Sequence, residues 1–159
     1  MCRTDAITPD LADVLITAHR LARPVRRIFP GTSDQARHAR RFVARVLDGC
    51  PVADTAILLT SVLVTNALTH TRTSLHGTFE VIIWASQTAT YIAVIDDGSA
   101  TVPAPSFHPQ PELAESGRGL ELVDLLASQW GHHGHTSVCP DPDATSRTLV
   151  WFRLDWPAE

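Results

Sequence analysis

The chain of 159 residues contains no lysine, because all 13 of its basic residues are arginines. This absence excludes mechanisms that need a lysine side chain, including the phosphate-binding lysine of P-loop enzymes. The formal net charge is −4 and the isoelectric point is near 6.0. Proteins that hold nucleic acid mainly through phosphate contacts carry the opposite balance of charge, so we predict no direct nucleic-acid partner.

Cysteines and long apolar runs are also scarce. Cys2, Cys50 and Cys139 form an odd and scattered set, which is a poor disulfide framework and favours a reducing compartment. The first residues lack the uninterrupted apolar core of a signal peptide. The most apolar stretch, residues 56–68, is too short to span a bilayer. We therefore predict a cytoplasmic protein that makes no membrane contact.

The chain divides into an N-terminal extension, residues 1–25, and one domain, residues 26–156. In the extension, apolar residues at helical spacing indicate a short amphipathic helix; they are Leu11, Val14, Leu15, Ala18 and Leu21. This helix is either a loosely held chain end or a contact with a second copy or a partner. Both alternatives stay open at the level of the sequence.

Helices and strands alternate in the domain in a way that predicts an α+β fold. Ser33 is a candidate N-cap for a first helix that stops near Gly49. Residues 54–70 are apolar nearly all round, which predicts a central buried helix. Residues 78–85 and 90–96 are rich in β-branched and aromatic side chains and predict a β-hairpin.

Three further elements complete the prediction. A helix is expected from Leu120, a strand is possible over residues 132–138, and a last strand is expected over residues 148–154. The sum is a two-layer α/β sandwich in which helices cover one face of a mixed, mostly antiparallel sheet.

Asn66 is the only asparagine, and it lies in the apolar helix. A lone amide in such surroundings costs free energy unless something binds it. Its carbonyl oxygen would suit Mg²⁺, which also takes oxygen ligands from nucleotide phosphates. The alternative is an amide that only hydrogen-bonds a neighbouring loop.

Asp96 ends the second strand of the predicted hairpin. Strand alternation places its carboxylate on the same face as Ile92 and Val94, where it could accept a hydrogen bond from an adenine amino group. Gly98 would allow the backbone to pass close to the base. The alternative interpretation is a polar turn, since Asp-Gly is also a turn signal.

A glycine turn, Gly117-Arg118-Gly119, precedes the helix that begins near Leu120. Backbone N–H groups in such a turn can face an anion, and the helix N-terminus adds partial positive charge. Arg118 could reach a phosphate or remain solvated. Together with the amide and the carboxylate, this turn forms the set of groups that a nucleoside triphosphate with magnesium would need.

The order and spacing of these motifs resemble the histidine-kinase-like ATPase superfamily. The nearest likeness is to its small stand-alone branch, the anti-sigma-factor serine kinases and related actinobacterial regulators. Residues 61–70 resemble the N-box, residues 96–98 and 115–123 the two glycine boxes, residues 29–32 the first strand and turn, and residues 146–152 the closing strand.

The resemblance implies a protein that binds ATP with Mg²⁺. It implies that Asn66 coordinates the magnesium ion. It also implies that Asp96, followed by Gly98, contacts the adenine. It implies that the backbone from Gly117 to Leu120 binds phosphate. Thr148 of the closing strand is expected to bind the nucleotide as well. Members of this branch commonly bind a sigma factor or an antagonist protein, and some phosphorylate a serine of that antagonist.

Val62 departs from the family pattern, because the family typically has a glutamate four residues before the asparagine. Positions four apart share a helix face, so Val62 should point toward the same site as Asn66. An isopropyl group cannot act as a general base, whose loss costs roughly 10²–10⁴-fold in rate. We therefore predict no catalytic residue and weak or no phosphotransfer. An active serine/threonine kinase and a degenerate domain that acts only through protein contacts are the alternatives.

A histidine-rich segment follows the last predicted helix and contains His132, His133 and His135, with Cys139 beyond it. Such residues can bind zinc, but their spacing fits no standard structural zinc pattern. A polar loop or edge strand is the alternative interpretation.

Overall fold

A computed structural model of the chain describes residues 23–70, 77–97, 119–135 and 147–157. The helices of this part are α1 (Gln35–Val46), α2 (Ala53–His70) and α3 (Gly119–Leu126). Its strands are β1 (Val25–Pro30), β2 (Thr78–Ala85), β3 (Ala89–Asp96), β4 (Gln129–His135) and β5 (Arg147–Asp155). Among the described residues, no helix is long and apolar enough to span a bilayer.

The strands form one sheet in the order β1-β2-β3-β5-β4, and every neighbouring pair is antiparallel. The predicted hairpin is confirmed, since β2 pairs with β3 from Glu80↔Ile95 to Ala85↔Thr90. The α+β fold is confirmed as well, with helices layered on a five-stranded sheet. The domain limits of residues 26–156 stay a prediction.

One face of the sheet packs against the helices. Phe29 of β1 and Phe79 of β2 face each other across the strand pair, with ring centroids 5.2 Å apart, and Phe42 of α1 meets Phe29 edge-on at 6.0 Å. These three rings join the fully buried side chains of Leu59 and Ile92 in one core. Burial of these rings and their mutual contacts both stabilise the packing. The contact between Phe42 and Phe29 therefore holds α1 over the β1–β2 end of the sheet.

The opposite face of the sheet carries a separate group of buried side chains, which we call the second-face cluster. Its members are Ile82, Trp84, Tyr91, Ala93, Leu149 and Trp151. In β4 a glycine, Gly131, lies opposite Trp151, and a Cβ on it would come within 3.0–3.1 Å of the indole ring. At the sheet edge, Arg26 donates to the buried carboxylate of Glu80 at 2.6 Å, and this bond raises the pKa of Arg26.

Two local expectations are wrong. The N-cap of α1 is Asp34 instead of Ser33, and Asp34 makes no side-chain capping bond. Instead, its carboxylate accepts a hydrogen bond from the hydroxyl of Thr32. The helix α2 is not buried all round, since Leu58 is 45% exposed and Thr65 is exposed. In a two-layer fold the helices form the outer layer, so one side of α2 faces outward despite its apolar composition.

Several predicted features fall outside the described residues. They are the N-terminal amphipathic helix, Gly98, Gly117, Arg118 and Cys139. The possible strand over residues 132–138 is observed as β4, Gln129–His135, which begins earlier in the chain. Its sequence, with two glycines and three histidines, has little strand propensity, so the pairing with β5 explains it better than local preference does.

Candidate functional site

The first residue of α3 lies against α2 at the two positions singled out by the sequence. A Cβ on Gly119 would be 2.7 Å from Cγ1 of Val62 and 3.8 Å from Oδ1 of Asn66. The backbone at this point therefore approaches α2 more closely than any residue with a side chain could. Two motifs more than fifty residues apart in the chain meet here.

The position of α3 is fixed by its own buried residues. Leu120 is 6% exposed and Val123 is fully buried, and both belong to the helix-side core. Because these side chains anchor the first turns of α3, the N-terminal N–H groups of the helix stay next to the half-buried Asn66. A helix N-terminus beside an amide is a suitable environment for a phosphate group and its cation.

Val62 and Asn66 lie one turn apart on α2 and both approach Gly119, as the four-residue spacing predicts. Val62 is partly buried and also packs against the core. The side of α2 that faces the start of α3 therefore carries methyl groups one turn before the amide. No proton acceptor is supplied at that position.

Asp96 is the last residue of β3 and is only 4% exposed. It alternates with Ile92 and Val94, which are fully buried in the helix-side core, so Asp96 lies on the face that α2 covers. Its Cα partner in β5 is Thr148, which is half-buried. A carboxylate and a hydroxyl from different strands are thus neighbours at one end of the sheet, on the helix side.

The next residue, Asp97, makes contacts that sequence reasoning did not predict. Its carboxylate accepts a hydrogen bond from the backbone N–H of Thr78 at 3.1 Å, and Nε of Arg147 lies 3.9 Å away. The side chain of Arg147 is 46% exposed, so this ion pair adds little stability. It does connect the ends of β3, β2 and β5 beside Asp96. The register of β5 was needed to find it.

The structure thus joins Val62, Asn66 and Gly119 in one contact, and Asp96 and Thr148 in another. Within the described ranges, no group of three or more His, Cys, Asp or Glu side chains could hold a metal ion. A magnesium ion would fit here only with Asn66 as a protein oxygen ligand and phosphate oxygens and waters as the others.

The histidine segment gains no support as a zinc site. His132 is half-buried and His133 is exposed, and as consecutive residues of β4 they point to opposite faces of the sheet. They cannot therefore converge on one ion without leaving the strand.

The family model described as the histidine kinase-like ATPase domain matches residues 29–136, more than half of the chain. The chain belongs to the histidine kinase-like ATPase domain family. The matched range contains Val62, Asn66, Asp96 and Gly119, and it ends before β5. No curated protein gives a significant match. Membership of this family implies ATP binding.

Proposed function

We propose that this protein is an ATP- and Mg²⁺-binding regulator of the anti-sigma-factor or switch-kinase type, with weak or no phosphotransfer. Family membership supports nucleotide binding. The finer assignment depends on the contact between Val62 and the start of α3. A domain that keeps its nucleotide residues but has an aliphatic group at the general-base position is suited to binding and signalling more than to catalysis.

The proposed site combines two contacts, that of Asn66 with the start of α3 and that of Asp96 with Thr148. The side-chain oxygen of Asn66 would take one position on Mg²⁺, and the N–H groups at the start of α3 would contact phosphate. The buried carboxylate of Asp96 would accept a hydrogen bond from the adenine amino group, with Thr148 beside it. Gly98, Gly117 and Arg118 are assigned to the nucleotide by resemblance alone.

The observation that carries the proposal is the packing around Val62. Its Cγ1 atom would be only 2.7 Å from a Cβ on Gly119, so methyl groups fill the space between α2 and the first turn of α3. A glutamate here would direct a carboxylate toward the start of α3, where the phosphates would bind. Phosphoryl transfer depends mainly on positioning and electrostatics, so the valine would lower the rate without preventing nucleotide binding.

A surface suited to a protein partner lies on α1. Four exposed arginines lie along this helix, although the chain is acidic overall; they are Arg37, Arg40, Arg41 and Arg45. The ion pairs found in the described residues involve none of them. This concentration of positive charge favours an acidic surface on the partner, as a sigma factor or its antagonist could supply.

The arginine surface is connected to the proposed nucleotide site. Nη1 of Arg40 donates to the hydroxyl of Ser61 at 3.2 Å, and Ser61 directly precedes Val62 in α2. A shift of α2 on nucleotide binding would therefore change the position of Arg40 on α1. A homodimer through α1 is disfavoured, because two copies would bring like charges together.

The test combines binding and transfer. By isothermal titration, Asn66→Ala should weaken ATP binding in the presence of Mg²⁺ by about 10-fold or more, while ATP alone should bind with little change. Thr65→Ala, an exposed neighbour on the same helix, is the matched control. Equal affinities of all three proteins for MgATP would refute the ligand assignment.

Phosphotransfer is measured with radiolabelled ATP and candidate antagonist proteins. The unaltered protein should transfer little phosphate, and Val62→Glu should raise the rate by roughly 10²–10⁴-fold. Robust transfer by the unaltered protein would instead establish the rival function, an active serine/threonine kinase. Absence of ATP binding in every variant would favour a domain that acts only through protein contacts.

A further inference from the structure

The outward side of α2 and α3 carries exposed leucines. Four of the six exposed large apolar side chains among the described residues lie here; they are Leu58, Leu122, Leu125 and Leu126, and we call them the leucine patch. Leu125 is 77% exposed. Leu122 and Leu126 follow Gly119 by three and seven residues, so they lie on the side of α3 that faces α2. An exposed apolar patch shared by two helices indicates an interaction surface.

The three helices lie side by side, with α2 in the middle. Consecutive residues of α2 contact the two outer helices, since Ser61 accepts a hydrogen bond from Arg40 of α1 and Val62 lies against Gly119 of α3. A short connection joins α1 to α2, which makes them antiparallel neighbours. The helix α3 begins beside the second half of α2 and keeps Val123 in the helix-side core, so it also runs back along α2.

The two outer helices carry opposite charges. In α1 there are four arginines and no acidic residue, whereas α3 has Glu121 and Asp124 and no basic residue. Asp124 is exposed and accepts a hydrogen bond from Nε1 of Trp130 at 2.9 Å. The outward surface of the helices therefore changes from basic on α1, through the leucine patch, to acidic on α3.

A surface of this kind is complementary to a second copy of itself in one orientation. If a two-fold axis ran across the helices, each helix would face its own counterpart, and the arginines of α1 would repel each other. The like charges that disfavour a homodimer through α1 meet only in that arrangement. A two-fold axis parallel to α2 exchanges the two sides instead. We propose that the chain forms a homodimer about such an axis, in which α1 of each copy lies on α3 of the other.

The positions of the charges along the helices agree with this arrangement. The contacts of Arg40 with Ser61 and of Gly119 with Val62 fix the level of both outer helices relative to α2. At 1.5 Å per residue, Arg41 lies within about 5 Å of the level of Glu121, and Arg45 within about 5 Å of that of Asp124. An axis parallel to α2 preserves these levels, so each arginine of one copy comes opposite a carboxylate of the other.

The apolar groups agree with it as well. Leu58 belongs to the central helix, so Leu58 of one copy would lie close to Leu58 of the other, beside the axis. Leu125 would lie under α1 of the second copy, where the long stems of the arginines can cover an apolar side chain while their charged ends reach carboxylates. The leucine patch would then lose its contact with water, which favours association.

The helical face is large enough for a weak dimer. Packed helices lie about 9 Å apart and α1 is about 18 Å long, so the three helices present roughly 500 Å² per copy. Two copies would bury about 1,000 Å² in total, which is the lower limit for a specific interface. We therefore expect monomers and dimers to exchange as the protein concentration changes. The dimer would cover the arginine surface, so a second copy and an acidic partner would compete for α1.

Sedimentation velocity of the full chain, measured without nucleotide, tests for the dimer. The apparent mass should rise with concentration from 17.4 kDa toward twice that value. A mass that stays at 17.4 kDa up to the limit of solubility would overturn the proposal. Because no nucleotide is present, this result is independent of whether the protein binds ATP.

Charge reversals test which helices meet. Arg41→Glu would place like charges opposite Glu121 of the second copy, and Glu121→Arg would do the same opposite Arg41. Each variant alone should dimerise about 10-fold more weakly or worse. An equal mixture of the two should associate as well as the unaltered protein, because opposite charges then face each other in a heterodimer. If the mixture stays monomeric while the unaltered protein dimerises, α1 does not lie on α3 and the proposal is wrong.

A matched pair of substitutions tests the leucine patch. Leu125→Ser removes its most exposed member, and Ile28→Ser removes a side chain that is 62% exposed on β1, away from the helices. We expect Leu125→Ser to raise the dissociation constant of the dimer by about 10-fold or more and Ile28→Ser to leave it unchanged. Equal constants for both variants, whether changed or not, would overturn the assignment of the interface to the helical face.

Discussion

The two faces of the sheet differ in what they bury. The helix-side face ends in Asp96 and Thr148, and α2 and α3 meet above it beside Asn66. The second face buries the aromatic second-face cluster, and its buried charge, Glu80, is paired with Arg26 at the sheet edge. A buried carboxylate at the end of a strand costs free energy unless it is hydrogen-bonded or bound. We therefore propose that the helix-side face serves recognition and that the second face serves stability.

The strongest test removes the charge of Asp96. Asp96→Asn keeps the shape of the side chain but loses a charge-assisted hydrogen bond, which is worth about 1.5–3 kcal/mol. We expect ATP affinity to fall by roughly 10- to 150-fold, measured by isothermal titration. Asp97→Asn is the matched control, since that carboxylate is engaged by Thr78 and Arg147. A similar loss of affinity in both variants would break the distinction between Asp96 and its neighbour.

Two glycine substitutions compare the faces directly. Gly119→Ala would place a Cβ 2.7 Å from the stiff side chain of Val62, and overpacking of this kind costs about 1–3 kcal/mol. Urea unfolding should show this loss, and ATP affinity should fall as well because the start of α3 must move. In a Val62→Ala background the obstructing methyl group is absent, so the same substitution should cost much less.

Gly131→Ala is the counterpart on the second face. Its Cβ would meet the indole of Trp151 at 3.0–3.1 Å, so we expect a similar loss of stability. ATP affinity should remain unchanged, because Gly131 lies on the face away from α2 and α3. If Gly131→Ala weakened ATP binding as much as Gly119→Ala, the functional separation of the faces would be wrong.

The smallest expected effect concerns Arg153. Its guanidinium lies 5.3 Å from the ring centroid of Tyr91, and its Nε donates a hydrogen bond to Asp155 at 2.6 Å. Both groups are partly exposed, so Arg153→Met should lower the free energy of unfolding by about 0.5–1 kcal/mol. Asp155→Asn, measured in the same urea titrations, separates the ion pair from the ring contact. A loss of ATP affinity in Arg153→Met would contradict the assignment of this face to stability.

The predicted hairpin and main helices agree with the structure because their signals are local. The apolar stripe of α1, the apolar run of α2 and the β-branched segments β2 and β3 each specify an element through neighbouring residues. The N-cap of α1 lies one residue later than expected, at Asp34, whose carboxylate accepts a hydrogen bond from Thr32. The strand β4, expected over residues 132–138, begins earlier, at Gln129, because its bounds depend on pairing with β5.

The second face could have been anticipated in part. In β2, apolar residues occupy consecutive positions from Val81 to Trp84, a pattern typical of a strand buried on both sides. At the level of the sequence, this pattern predicts a strand. What covers the second face could not be read from the strand itself, because burial depends on which distant segment reaches it.

The sequence by itself determined the element types, the antiparallel hairpin and the family motifs, since each depends on residues close together in the chain. Only the tertiary structure brought Gly119 against Val62 and Asn66, paired Asp96 with Thr148 and buried the second-face cluster. These contacts join segments separated by tens of residues. Their geometry is decided by packing of the whole domain, which local periodicity does not encode.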